Sequence, residues 1–201
     1  MIKDIRQKLS DYLEFDCDKL FHNKYNLIRI FGGAIRDIIA DQPINDIDIL
    51  CGSKAFGFVE FMLHNNGYKF FENLNGKDLQ EMYSDIHVIC EPHTWIKGDK
   101  VVQIIKPSGL EGVLSYTELF NRLLENVDLS CCGVSYDGEL HEDFKNAIVH
   151  CKNRVFSVNS LAKMYSYKRI SRRVVKLERR GWSKIENTIE KNRDLKLNLV
   201  L

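Results

Sequence analysis

The sequence predicts an α+β fold: a mixed β-sheet with helices, followed by a small helical and basic domain. Three observations predict it. Leu27 to Cys51 reads as strand, glycine turn, short helix, loop and strand. Residues 85–106 read as a β-hairpin. From about Asn159 a long amphipathic helix takes over, and its excess charge is of one sign.

Length and composition agree. The 201 residues are 44% apolar and 28% charged, which suits one good core and a small second domain. We place the domains at 1–152 and 153–201. Net charge is +1, but between Lys152 and Lys196 Lys and Arg exceed Asp and Glu by roughly ten. The basic residues therefore concentrate in the last third. No apolar run approaches the length of a membrane span, and MIKDIRQK does not read as a secretory signal. The expectation is a cytoplasmic protein without a membrane partner. The six cysteines form no Cys-x-x-Cys pair, which predicts buried, reduced thiols and no zinc site.

The elements follow in order. Residues 1–25 have helical spacing, with Ile2, Ile5, Leu9, Tyr12 and Leu13 on one stripe. Leu27–Phe31 is an apolar strand, Gly32-Gly33 breaks it, and Ala34–Ala40 is helical. Asp46–Leu50 alternates as a strand. Ser53 reads as the N-cap of a helix to about His64, with Phe56, Val59, Phe61, Met62 and Leu63 as its core face. Tyr68–Phe71 reads as a short strand. The hairpin pairs Asp85–Ile89 with Val101–Ile105 across a turn at Lys97-Gly98-Asp99, and Pro107 closes it. Ser115–Val127 is an amphipathic helix with a Ser115/Glu118 capping box. Cys131 and Cys132 read as neighbours on a strand, and Tyr136-Asp137-Gly138 as a turn between strands. A helix over Asn159–Arg180 buries Leu161, Met164, Tyr167, Ile170, Val174 and Leu177, and Gly181 ends it.

The chemistry lies in the first of these stretches. Strand residues two apart share a face, so Asp46 and Asp48 point the same way, with Cα atoms ~6.5–7 Å apart. Two carboxylates so arranged suit a pair of Mg²⁺ ions about 3.5–4 Å apart. A Gly-Gly turn that opens a helix lets backbone N–H groups approach a phosphate. Arg36, one turn into that helix, adds a charge-assisted contact. One segment thus offers a metal site and a triphosphate cradle.

Gly32, Gly33, Arg36, Asp37, Asp46 and Asp48 together resemble the first motif of polymerase-beta-type nucleotidyltransferases. The branch is that of bacterial poly(A) polymerases and class II CCA-adding enzymes. The resemblance implies a polymerase-beta-like head domain followed by a helical neck. It implies catalysis by Asp46 and Asp48 on two Mg²⁺ ions, with Mn²⁺ as a substitute. Nucleotide binding falls to Gly32, Gly33, Arg36, Asp128, Arg169 and Arg172. Asp128, the Tyr136–Leu140 turn and Asp143-Phe144 match the family's second motif. Departures accompany the matches. The family's third acidic position falls on Gln103, its Arg-Arg pair on Asn126-Val127, its Asn on Cys132, and the acidic pair of its neck on Tyr165-Ser166.

The leading expectation is template-independent transfer of a nucleotide from a nucleoside triphosphate to an acceptor, an RNA 3′ end. The departures keep a second open: a module of the same fold that binds nucleotide or RNA with little or no turnover. A third is transfer to a protein or small molecule, although relatives of that type carry Gly-Ser at the turn. Acceptor identity, base preference and oligomeric state are not identified by the sequence.

Overall fold

Apolar periodicity sets the elements. In this computed structural model, residues 2–22, 28–71, 89–108, 118, 127–159 and 167–186 are described. Helix α1 (Ile2–Leu13) turns Ile5, Leu9 and Leu13 inward, and a short α2 follows (Asp18–Phe21). The helix expected over 1–25 is therefore two helices. Glu14 adopts a left-handed φ of 59° and ends the first.

Strand β1 (Ile28–Phe31) leads through Gly32 into α3 (Gly33–Ile39), and β2 follows (Asp46–Cys51). Helix α4 spans Ser53–Asn65 and is capped from Gly52, so Ser53 is its first residue rather than its N-cap. Its Phe61 is 60% exposed and does not join the core, because Ala55, Val59 and Leu63 set the buried stripe. Strand β3 is Lys69–Phe71.

The hairpin is longer than its expected strands. Strand β4 covers Ile89–Lys97 and β5 covers Lys100–Ser108, joined at Gly98 with φ 60°. Pairing runs from Lys97↔Lys100 to Ile89↔Ser108, through Pro92 and Pro107. Both prolines lie beyond the residues that pair to β3 or β2, where a missing N–H breaks no second ladder. Trp95, opposite Val102, belongs to the core, which extends the strand past Ile89. Asp85–Val88 and nearly all of the helix expected over Ser115–Val127 lie outside the described residues; exposed Glu118 is helical, and Val127 is not.

Cys131 and Cys132 form a 3₁₀ turn (Ser130–Cys132) rather than a strand, with Ser130 N–H donating to the Ser157 carbonyl (3.0 Å). Strands β6 (Val134–Tyr136) and β7 (Leu140–Glu142) flank the expected Asp137–Gly138 turn. Then come α5 (Ala147–Asn153), β8 (Val155–Phe156), α6 (Tyr167–Arg179) and β9 (Ser183–Lys184). Asn159 is not helical. Its side chain donates to the Val127 carbonyl (3.0 Å) and its N–H to that of Asp128 (2.9 Å). Leu161 and Met164 lie outside the described residues. Gly181, at φ 82°, ends α6 as expected.

The sheet order is β3-β4-β5-β2-β1-β6-β7. Within this seven-stranded sheet, among the described residues, only the β2–β5 pair is parallel, which makes the sheet mixed. One face joins Ile30, Ile47, Ile49, Val102, Ile104 and Val134 to the apolar stripes of α1, α3 and α4 in one core. Leu50 and Ile105 are buried too, on the opposite face and outside that core. No helix among the described residues is long and apolar enough to cross a membrane. Cys17, Cys51, Cys131, Cys132 and Cys151 are buried and form no disulfide.

Residues of the last third are tied to α3 and the residues that follow it by polar contacts. Asp37, 2% exposed, accepts from Arg36 Nε (2.8 Å) and from Arg180 Nη1 (3.0 Å). Trp182 Nε1 donates to Gln42 Oε1 (2.9 Å), and Gln42 Nε2 to the Arg180 carbonyl (2.9 Å). Arg154 Nη2 donates to the Ala40 carbonyl (3.0 Å), and β8 pairs with β9. Removing one member of a buried charge network strands the others. Asp37→Asn is expected to cost about 3–5 kcal/mol in urea unfolding; a loss below about 1 kcal/mol contradicts this account of the joint.

Candidate active site

Register builds the site. Residues paired across strands point to the same side of a sheet. Thr94, Gln103, Asp48, Phe31 and Ser135 therefore form one row on the face opposite the core. Asp46 lies two residues along the same face, opposite Val101. Half-buried Asp46 and Asp48 alternate with buried Ile47 and Ile49, so the apolar pair anchors the strand while the carboxylates lie on its other face. Tyr12 fixes the strand's entry. Its hydroxyl donates to the Asn45 carbonyl (2.8 Å) and accepts from Val101 N–H (2.9 Å).

The glycine turn adjoins this row because β1 ends at Phe31, the partner of Asp48. Gly32 has φ 69°, a value that favours glycine, and its N–H donates to the Val134 carbonyl (3.0 Å). That bond leaves the first-turn amides of α3, beginning at Gly33, as the ones a ligand would meet.

Arg36 lies beside the turn, its Nη2 3.6 Å from where a Gly33 Cβ would stand, and it is engaged with protein groups. It is 7% exposed and holds Asp37 through Nε and Nη2 (2.8 and 2.7 Å). Its Nη1 points at Cys132 Sγ (3.4 Å), and its guanidinium lies 5.6 Å from the Trp182 ring centre. Burial works against its charge, but the Cys132 thiol and Asp37 outweigh burial and raise its pKa.

Asp128 and α6 complete the arrangement. Buried Asp128 pairs with Arg173 Nη1 (2.7 Å), and Arg173 Nη2 donates to Cys132 Sγ (3.3 Å). Cys132 thus lies between two guanidinium groups. The neighbouring Cys131 thiol, then the charges of Arg36 and Arg173, hold its pKa below the usual thiol value against burial. The Cys131 thiol is pushed up in turn by Cys132 and by burial. Arg169 and Arg173 both act on Asp48. Arg172 is exposed. Arg173 was missed by sequence reasoning. The available signal was its i+4 spacing from Arg169, which sets both on one face of the helix.

Asp48 registers the electrostatics. Burial first, and the Asp46 carboxylate second, push its pKa up to about 7; Arg173 and Arg169 pull the other way. Two crowded carboxylates under incomplete counter-charge are a hard-oxygen donor set that fits a divalent cation such as Mg²⁺ or Mn²⁺. Gln103, beside Asp48, brings no charge. The one three-donor group among the described residues, Asp16, Cys17 and Asp18, lies at the α1–α2 junction, where Arg6 already pairs with both carboxylates. A concavity of about 570 Å³ between α1, α2 and the β6–β7 turn contains none of the expected site residues.

A prediction follows from the Asp48 shift. Between its ordinary carboxylate value and about pH 7 the folded state binds more protons than the unfolded chain, so metal-free stability falls as pH rises through that window. Asp48→Asn removes the penalty. In EDTA its Tm is expected to exceed that of the wild type by several degrees at pH 8 and by little at pH 4; an equal difference at both pH values contradicts the shift.

No protein-family model matches the chain, and no curated protein matches it. Solved structures do. A CCA-adding enzyme in complex with CTP matches with a TM-score of 0.65 at 18% identity, over 94% of this chain and 44% of its own. The Thermotoga maritima CCA-adding enzyme complexed with tRNA matches with 0.58 at 18%, over 92% and 40%. A tRNA nucleotidyltransferase with a primer tRNA and an incoming ATP analogue matches with 0.54 at 16%, over 86% and 47%. The chain spans less than half the length of these three proteins. What it shares with them is the fold, an α+β arrangement of a mixed β-sheet with helices.

Proposed function

We propose that this chain is a template-independent nucleotidyltransferase that adds a nucleotide from a nucleoside triphosphate to an RNA 3′ end. One observation carries the reading. One register row sets Asp48 opposite Phe31, where the Gly32-Gly33 turn begins, with Asp46 on the same face, and Arg169 and Arg173 of α6 act on Asp48. The similar proteins solved with CTP, with an ATP analogue and with tRNA support it.

In this reading Asp46 and Asp48 would hold two Mg²⁺ ions, and their presence would supply acidification of an attacking hydroxyl and charge neutralisation at the phosphates. The chain's own residues do the rest. Residues 1–152 supply the carboxylates and the glycine turn, and residues 153–201 supply the arginines. Gly33 leaves room for a triphosphate against the backbone of α3. Arg169 and Arg173 offset its charge, and Asp128 with Cys132 orients Arg173. Arg172 extends the basic surface outward. Arg36 acts through position: it locks Asp37 and Cys132 in place behind the turn. Gln103 offers an amide where a carboxylate would add charge.

The test is transfer of labelled nucleotide to RNA with Mg²⁺ or Mn²⁺. Wild type is expected to label RNA, and Asp46→Ala/Asp48→Ala to lose the activity while keeping its Tm within a few degrees. Equal activity in both proteins sinks the reading. Gln103 favours a second one, a module that binds nucleotide or RNA without turnover. It predicts nucleotide binding by calorimetry with no pyrophosphate release. The same position yields a separate expectation. Gln103→Glu adds a carboxylate beside Asp48 and should tighten Mn²⁺ binding in calorimetry about tenfold; unchanged affinity would show that position 103 does not face the metal site.

A further inference from the structure

Helix α6 carries six basic residues and one acidic residue over Tyr167–Arg179. At about 100° per residue, Lys168, Arg179, Arg172 and Lys176 fall within an arc of about 80°. Arg169, Arg180 (just past the helix end) and Arg173 continue the same arc for roughly another 60°. Leu177, Ile170 and Val174 follow on the protein-facing side, and Glu178 lies beyond them.

The two halves of the arc have different surroundings. Arg173 and Arg180 are engaged with Asp128 and Asp37, and Arg169 with Arg173 acts on Asp48. Lys168, Arg172, Lys176 and Arg179 are exposed and make no ion pair with any described residue. A continuous band of positive charge thus runs from Asp48 out to solvent. We propose that its outer half, Lys168, Arg172, Lys176 and Arg179, is the docking surface for the phosphate backbone of a single-stranded RNA whose 3′ end lies at Asp46 and Asp48.

The occupant is argued from chemistry, and it rests on the RNA-acceptor reading above. A strand whose end reaches Asp48 must leave the site past a neighbouring surface, and this one has the complementary charge at every turn of the helix. A lipid surface fits it poorly. An interfacial helix turns an apolar face to the bilayer; here that face is turned to the protein, and Val175 is the one large exposed apolar residue described on α6.

The test measures binding of a fluorescein-labelled single-stranded oligoribonucleotide to the whole chain against salt, in EDTA and without nucleotide. Each phosphate contact on a single strand contributes about 0.7 to the slope of log K against log salt. The variant Lys168→Ala/Lys176→Ala/Arg179→Ala leaves Arg172 intact, since the family resemblance assigns that residue to nucleotide. Its slope is expected to fall by about 2. A control that removes three exposed lysines elsewhere, Lys54→Ala/Lys145→Ala/Lys152→Ala, is expected to keep the wild-type slope. An unchanged slope in the first variant, an equal fall in both, or tighter binding to phosphatidylserine vesicles than to RNA overturns the proposal. Turnover is not read here. RNA binding that depends on the arc, in a protein without transfer activity, overturns the reaction and leaves the surface. Transfer with an unaltered slope does the opposite.

Discussion

A buried carboxylate holds this protein together. Asp37 lies between Arg36, its neighbour in α3, and Arg180, 143 residues further along the chain. Its charge is worth burying only with both partners present, because desolvation of an isolated carboxylate costs far more than one hydrogen bond returns. The consequence is geometric. The turn that begins at Gly32 and the end of α6 are fixed to the same side chain, so the basic face of α6 is held where it acts on Asp48.

Cys132 is the second constraint, and it differs from what the family motif supplies there. Where that motif has Asn, this chain puts a buried thiol between Arg36 and Arg173. Its sulfur accepts from both guanidinium groups, and their charges help hold the thiol pKa below its usual value. Asp128 adds its own carboxylate to Arg173. The chain lacks the motif's Arg-Arg pair, having Asn126-Val127 at those positions, and it brings a different arginine, Arg173, to the neighbourhood of Asp48. Cys132 and Arg173 are thus linked, with Arg36 and Asp128, in one hydrogen-bonded cluster.

Much of this was legible in the sequence, for reasons that differ by element. The strand–turn–helix–strand unit was readable because Ile47 and Ile49 alternate with Asp46 and Asp48, and a period of two leaves one choice of face. Register with Gln103 was readable from the motif. The hairpin was read too short at its far end because Pro107 looks like a strand breaker; only the sheet order shows that neither it nor Pro92 interrupts a second ladder. The 3₁₀ turn at Cys131-Cys132 was hidden because two small apolar residues suit a strand equally well. Arg36 read as a phosphate ligand from its place in the motif, whereas its partners, Cys132 and Trp182, are distant in sequence. The same limit applies to Arg173: helical spacing groups it with Arg169, but only packing of Leu177 and Trp182 decides which side of the helix faces the sheet.

The central claim is that Asp48 and Arg173, from opposite ends of the chain, serve one nucleotide site. Calorimetric titration of the whole protein with a nucleoside triphosphate and Mg²⁺ tests it directly, comparing wild type with Arg173→Ala. A charge-assisted contact is worth about 1.5–3 kcal/mol, so the account predicts affinity weakened roughly 10- to 100-fold in a folded variant. Unaltered affinity in a folded Arg173→Ala protein would contradict it.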